Sequence, residues 1–399
     1  MVKFAHLADC HLGGWRQEEL QSLNAQTFQK VVERCIQEVV DFVLISGDLF
    51  DSAYPLIEVL KEAFTEFKKL HDARIPVYLI AGSHDFSASG KTFLDVLEKA
   101  GFCKNVEKWE VQPDGRIKLS PHLHKDIAIY GYSGRKSGME LDDLRKTYFD
   151  SVYPFTIFMI HTTIKDVVGN LPIDSIERQK LPLANYYAMG HIHQVFKIQE
   201  RNSYYVYPGP IFPNNFQELV DLKAGSFELV ELSGGKVMTQ NIKLPLKEVV
   251  NIDLAITDGL TATEKIISEL DKYSLKDKIV LLKLKGTLAR GKTGDIHFNE
   301  VEEFVKKKEA YVFLRNISSV KTLESDILIG SAPHEDVENI EDQILKEYSQ
   351  RNPADFNKYL PQLMNALSFE KNEDERANLF EERLLSELNT ILGTTSKVI

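Results

Sequence analysis

Apolar and polar positions follow two alternating rhythms through the first half of the chain. Val2 to Ala8 reads as a buried strand, after which Phe28, Val31, Val32, Cys35, Ile36 and Val39 recur at helical spacing. Phe42 to Ser46 is a second buried strand. A helix from about Pro55 follows, with Leu56, Leu60, Ala63, Phe64 and Phe67 on one face and Pro55 suited to its first turn. Pro76 to Ala81 gives a third strand, and Phe93, Val96, Leu97 and Ala100 a third helix that Gly101 closes as a left-handed cap. Three strand–helix units in a row predict a parallel sheet with helical cover. Ile127 to Tyr132, Phe155 to Ile160 and Tyr186 to Met189 are further short strands, expected to form a second sheet packed on the first.

Near residue 245 the pattern changes. Val249 to Ile256, a helix carrying Ala262, Ile266, Ile267 and Leu270, Lys278 to Leu284, a loop, a helix around Phe304 and Ala310 to Leu314 predict a small α+β unit. Beyond it the chain turns acidic and helical. Phe356, Tyr359, Leu360, Leu363, Met364 and Leu367 form one apolar stripe; Leu379, Phe380, Leu384, Leu385, Leu388, Ile391 and Leu392 form another. The stretch from Glu370 to Arg376 between them is polar, so two short amphipathic helices on a tether are expected, and such a pair buries both stripes poorly by itself. The implied divisions are 1–245, 246–325 and 326–399.

The strands of the first half lead into pieces rich in acid and histidine: Asp9-Cys10-His11, Gly47-Asp48-Leu49-Phe50-Asp51, Gly82-Ser83-His84-Asp85, His161 and Gly190-His191-Ile192-His193. Carboxyl ends of strands are where open α/β sheets place ligands. Five of the eleven histidines fall there, and that clustering separates them from lone structural histidines. Asp9 and His11, two residues apart, project to the same side of a strand end, as do His191 and His193. Together the pieces supply the ligands of a two-metal site, with Asp48 the best candidate for a bridging carboxylate. Spacing alone is weak evidence: His122-Leu123-His124 has it too, yet lies in a polar stretch beside Pro121 and is not expected to bind metal.

Composition adds less. Hydrophobic content of 43% and charged content of 27% are ordinary for a globular protein. No apolar run approaches membrane-spanning length and no signal peptide is visible, so a cytoplasmic, nucleoid-associated protein without a membrane role is expected. Cys10, Cys35 and Cys103 are scattered and read as packing residues of a reduced compartment. Of the net charge of -11, the last 69 residues carry -7, from 14 acidic against 7 basic side chains. The rest is only mildly acidic, so DNA remains an acceptable partner.

In order, DxH, GDxxD, GxHD, a lone histidine after an apolar strand and GHxH resemble the calcineurin-like metallophosphoesterases, whose fold is an α/β sandwich of two sheets flanked by helices. The resemblance covers about the first 215 residues. Within that superfamily, His6-Leu7-Ala8-Asp9-Cys10-His11-Leu12-Gly13, Ser46-Gly47-Asp48-Leu49-Phe50-Asp51, Tyr187-Ala188-Met189-Gly190-His191-Ile192-His193 and Tyr207-Pro208-Gly209 resemble the DNA double-strand-break repair nucleases of the SbcD type.

That resemblance implies one metal held by Asp9, His11, Asp48 and His193 and a second by Asp48, Ser83, His161 and His191, with Mn²⁺ as the activating ion. His84 would act on the scissile phosphate or the leaving oxygen, with Asp85 orienting it. It also implies a capping domain over the site at 246–325, a homodimer through helices of the catalytic domain, and residues 335–399 as the docking segment for a coiled-coil ABC-type ATPase of the SbcC type. Within the capping unit, Arg290 and Lys292 in the glycine-bracketed loop are the better phosphate contacts, and Lys306-Lys307-Lys308 reads as a solvated helix face.

Two positions depart from the family. Ser83 stands where asparagine is usual, and a hydroxyl is the weaker ligand, so the second metal is expected to be held less tightly or to have water in that place. Asp51 stands where archaeal relatives often have histidine; a carboxylate there is expected to hydrogen-bond a neighbouring histidine or loop. The activity expected is DNA phosphodiester hydrolysis, with hydrolysis of small phosphoesters and a weakly active scaffold as the competing readings.

Overall fold

A computed structural model describes residues 1–87, 92–150, 152–234, 236–322, 355–367 and 377–392. The chain divides into two compact units, Met1–Thr322 and Leu323–Ile399.

The first unit is built on two six-stranded sheets. One runs, in spatial order, Lys236–Leu244, Gly225–Ser233, Val2–Leu7, Phe42–Ser46, Val77–Ile80 and Lys104–Asn105. Its last four strands are parallel; the two C-terminal strands join antiparallel beside Val2–Leu7. The other runs Val195–Glu200, Ser203–Pro208, Tyr186–Gly190, Phe155–His161, Ile127–Tyr132 and His122–His124, with four parallel central strands and an antiparallel strand at each edge. All five residues of Phe42–Ser46 are buried, as an apolar run covered on both faces requires.

The inner faces meet through Phe4, Phe42, Leu44, Ile80, Ile129, Ile157, Met159, Tyr186 and Val206. Helices Glu18–Gln37 and Ile57–Asp72 cover the outside of the first sheet, burying Leu20, Leu23, Phe28, Val31 and Phe67 against Ala5, Leu7, Val43 and Ile45. Each such side chain contributes roughly 1.5–3 kcal/mol. The outside of the second sheet is closed by Glu140–Leu144, Lys165–Val168 and a three-stranded sheet of Trp109–Val111, Ile117–Leu119 and Thr147–Tyr148. Helix, sheet, sheet and helix therefore stack as the sequence predicts.

The second helix starts later than expected. Leu56 is extended (φ −61°, ψ 151°) and offers no capping side chain, so the helix begins at Ile57 and Pro55 lies outside its first turn. The third, Phe93–Lys99, ends as predicted: Gly101 (φ 81°) donates to the Glu98 carbonyl and Phe102 N–H to that of Leu97.

Residues Val249–Ala255, Ile279–Leu288 and Val312–Thr322 form three parallel strands, with helices Ala262–Leu270 and Phe298–Lys307 packed on one face through Leu254, Ile266, Leu282, Val301 and Val305. The unit expected as α+β is thus a βαβαβ arrangement, and its middle strand extends to Leu288 through residues expected as loop. Ile279, Leu281 and Val312, on the opposite face, join the core of the first sheet, and Tyr311 Oη donates to the Glu19 carbonyl.

In the C-terminal unit, a 3₁₀ turn at Asp355–Tyr359 leads into helix Leu360–Leu367, and Ala377–Leu392 is a second helix packed against the first. Residues 335–354, 368–376 and 393–399 of the expected docking segment lie outside the described residues. Among the described residues no helix is long and apolar enough to cross a membrane.

Candidate metal centre

The acid- and histidine-rich pieces converge at the carboxyl ends of both sheets. Their loops lock together through the backbone: Asp9 N–H donates to the Gly47 carbonyl at 3.1 Å, and His11 N–H to that of Asp48 at 3.0 Å. Asp9, His11, Asp48 and His191 all adopt left-handed φ values of 52°, 43°, 51° and 92°. For residues with a Cβ each costs about 1–3 kcal/mol, and such strain collects at functional sites. Gly47 (φ 87°) could not be replaced at all quietly, since a Cβ there would lie 2.2 Å from His161 Nδ1.

Asp48 sits at the middle. Its Oδ2 lies 3.7 Å from His11 Nε2 and 3.2 Å from His161 Nε2, facing both histidine sets, while Oδ1 accepts the His84 N–H at 2.7 Å. On one side His11 Nε2 and His193 Nε2 point at each other across 3.0 Å, with Asp9 Oδ1 3.9 Å from His193. On the other stand His161, its Nδ1 donating to the Ser46 carbonyl at 2.9 Å, and His191, whose ring meets the His161 ring edge-on at 5.1 Å. Ser83 Oγ is 3.4 Å from Asp48 Oδ2. Ligating atoms of Asp9, His11 and His193, of His11, Asp48 and His84, and of Asp9, Asp48 and His161 lie within 4.8 Å of one another.

The donor set fits divalent cations. Among the described residues the buried Asp9 Oδ2 has no hydrogen-bond partner, and a buried polar atom left so is costly unless something else satisfies it. Imidazole with carboxylate suits Mn, Fe or Zn. Burial pushes the His161 imidazole down, but the Asp48 and Asp9 carboxylates outweigh it and hold it up at about 10. Burial and the same carboxylates, with Glu218, leave His193 at about 9, whereas burial and the neighbouring His161 charge push His191 down to about 4. Asp48 is driven well below the carboxylate range, His161 and His11 overcoming its burial. A field that holds protons on buried histidines favours cations in their place.

His84 is half exposed and lies outside this packed ring of ligands. Its Nδ1 donates to the Asp51 carbonyl at 2.9 Å, and its ring meets His11 edge-on at 4.7 Å. Asp85 does not orient it, contrary to expectation. The buried Asp85 carboxylate accepts the N–H groups of Leu49, Phe50 and Gly82 at 3.0–3.1 Å, and these bonds commit both oxygens to the turn that carries Asp48. Burial and the Asp48 charge raise Asp85 to about 6 against those donors. Asp51, as expected, bonds a neighbouring histidine: its Oδ1 accepts His11 Nδ1 at 2.9 Å.

Sequence reasoning missed three supports. Glu218 Oε1 accepts His193 Nδ1 at 2.8 Å, and Asn214 and Asn215 hold that carboxylate in turn. The available signal was Asn215 followed three residues later by Glu218, a helix-start pattern, and Asn215 does cap Phe216–Leu222. His122–His124 is an edge strand in which His124 Nδ1 bonds Tyr78 Oη. In the βαβαβ unit Arg290 is 72% exposed with Asp258 3.6 Å away, and Lys308 pairs with Asp271 at 2.6 Å.

A family model described as calcineurin-like phosphoesterase matches residues 2–195. The DNA double-strand break repair protein Mre11 of Archaeoglobus fulgidus is 26% identical over 96% of this chain and 85% of its own length. The proteins of that name from Methanocaldococcus jannaschii and Methanococcus maripaludis are 26% and 32% identical, over 89% and 58% of this chain and 92% and 64% of their own lengths.

Proposed function

We propose that this protein, whose residues 2–195 match the calcineurin-like phosphoesterase model, is a metal-dependent DNA phosphodiesterase of double-strand-break repair. The observation that carries the reading is Asp48 Oδ2 facing a histidine set on either side, with the exposed His84 beside it. Relatives named for double-strand-break repair that align over most of this chain support the substrate class.

Asp9, His11, Asp48 and His193 would hold one divalent cation, and Asp48, Ser83, His161 and His191 the other, with Mn²⁺ the ion of choice. The pair would supply Lewis acidity toward the phosphodiester and water acidified enough to attack near neutral pH. His84 supplies the proton chemistry of the chain itself. With Nδ1–H anchored on the Asp51 carbonyl, Nε2 is the ring atom left for substrate. In the imidazolium form it donates there, offsetting charge on the phosphate or protonating the leaving oxygen. Asp85 serves indirectly by fixing the Leu49–Phe50 turn.

Residues 246–325 would guide DNA through Arg290 and Lys292. The C-terminal helices would dock a coiled-coil ATPase of the SbcC type, and the catalytic unit would work as a homodimer. Cleavage of end-labelled double- and single-stranded DNA with Mn²⁺, beside an identically prepared His84→Ser protein, is the direct test. Activity lost in the variant supports the reading; activity of metal-loaded protein on small phosphoesters but never on DNA overturns it.

A further inference from the structure

The two halves of the centre are supported differently. Behind the first half stand two carboxylates: Asp51 Oδ1 accepts His11 Nδ1 at 2.9 Å, and Glu218 Oε1 accepts His193 Nδ1 at 2.8 Å. Each bond fixes the tautomer with hydrogen on Nδ1, leaving an Nε2 lone pair, and these are the two nitrogens that converge across 3.0 Å. A carboxylate behind an imidazole also makes it a stronger ligand. One residue joins the two supports, with its backbone amide on one and its side chain on the other. Asn214 N–H donates to Glu218 Oε2 at 2.8 Å, and Asn214 Nδ2 to Asp51 Oδ1 at 3.3 Å. Trp15 Nε1 in turn donates to the preceding Pro213 carbonyl at 2.8 Å, tying this loop to the one that follows His11.

The second half has no such backing among the described residues. His161 Nδ1 donates to the neutral Ser46 carbonyl, with Asp9 Oδ1 3.9 Å away and past hydrogen-bond range. The His191 ring packs edge-on against His161, and the remaining donor is the Ser83 hydroxyl. Asp48 and Asp9 reach both positions, Asp9 Oδ1 lying 3.9 Å from His193 Nε2 and 3.9 Å from His161 Nδ1; what differs is the backing, two outer carboxylates behind the first position and neutral groups behind the second.

We propose that the centre fills in order, the position between Asp9, His11 and His193 first, and that Asp51, Glu218 and Asn214 are positioning residues that set this order. The proposal rests on the dinuclear reading above. It gives Asp51 a role that a histidine at that position could not fill, since a neutral imidazole cannot supply the negative charge behind His11.

Titration of metal-free protein with Mn²⁺ alone, followed by electron paramagnetic resonance and calorimetry, tests it without any activity measurement. One equivalent should give a mononuclear signal, and the exchange-coupled signal of a pair should grow only toward the second. Glu218→Gln and Asp51→Asn should each weaken the first step about ten- to a hundred-fold, the usual cost of removing an outer-shell partner, and leave the second nearly unchanged. His191→Ala should do the reverse. Glu218→Asp, which keeps the charge, should recover part of the loss, which mere loss of packing would not predict. Because Asp51 is partly exposed, its variant provides a second measurement should Glu218→Gln fold poorly. A coupled signal from the first addition, or a Glu218→Gln defect confined to the second step, overturns the order of filling. No Mn²⁺ bound at either step overturns the dinuclear reading itself.

Discussion

Gly190→Ala asks how much tolerance the centre has for movement. The backbone at Gly190 is not left-handed, so an alanine is conformationally acceptable; the obstacle is space. A Cβ there would lie 2.1 Å from the Ser46 carbonyl oxygen and 2.8 Å from His161 Nδ1, where ordinary contact begins at 3.4 Å. The end of strand Tyr186–Gly190 and Ser46 must therefore separate by about 1.3 Å, across the gap that the His161–Ser46 hydrogen bond spans. Overpacking of this kind costs about 1–3 kcal/mol of stability. The catalytic cost is larger, because a misplacement of about 1 Å in a preorganised site is worth roughly 10²-fold in rate. Initial rates on DNA and on a bis-nitrophenyl phosphodiester with saturating Mn²⁺, beside a thermal melt, separate the two effects. A melting point lower by only a few degrees with a rate down by about two orders of magnitude is expected. A variant within a factor of about three of wild-type rate would refute the claim that this contact holds His161 in register.

Other perturbations reach different parts of the fold. Lys197→Met strips the cation from Glu228, which is fully buried at 2.5 Å from Lys197 Nζ, keeps only a long bond from Asn241 Nδ2, and ties the edge of the second sheet to the first; urea unfolding should show a loss of about 3 kcal/mol, much of it restored by adding Glu228→Gln. His6 is buried with its pKa pushed down to about 3, so between that value and 6.5 the unfolded chain binds the extra proton; its share of stability, complete above pH 6.5, falls by roughly 1.3 kcal/mol per pH unit on acidification. His6→Gln should flatten that acid limb between pH 6 and 4, and an unchanged slope would remove His6 as its source. Arg290→Ala with Lys292→Ala should weaken DNA binding and reduce its salt slope by close to two, less whatever Asp258 already neutralises; an unchanged slope discards the loop as a phosphate contact. Deleting residues 335–399 should abolish co-purification with the ATPase while Mn²⁺ binding persists, and retained association would place docking elsewhere.

The legible parts of the molecule were those whose signal is local. Buried strands ending in Asp9, Asp48, His161 and His191 stand out because an apolar run and a ligand adjoin in sequence. The supports were illegible for the opposite reason. Asp85 meets amides 35 and 36 residues away, and Glu218 meets a histidine 25 residues before it, through a short helix whose start is visible but whose docking is not. The sheet of Trp109–Val111, Ile117–Leu119 and Thr147–Tyr148 has strands of two or three residues, too short for any period to show. Lys285 to Leu288 looked like loop because Gly286 interrupts the apolar run, yet pairing continues through it to Leu288 after a register shift between Lys283 and Lys285.

The left-handed backbone at Asp9, His11, Asp48 and His191 has an implication for engineering. Glycine would adopt those angles without penalty, so a directed-evolution campaign scored on melting temperature alone would be drawn toward relieving backbone strain at His11 and His191. Each step would look like progress on a thermal shift assay. The end point would be a hardened but inert scaffold, and a useful screen must therefore retain a cation-dependent readout from its first round.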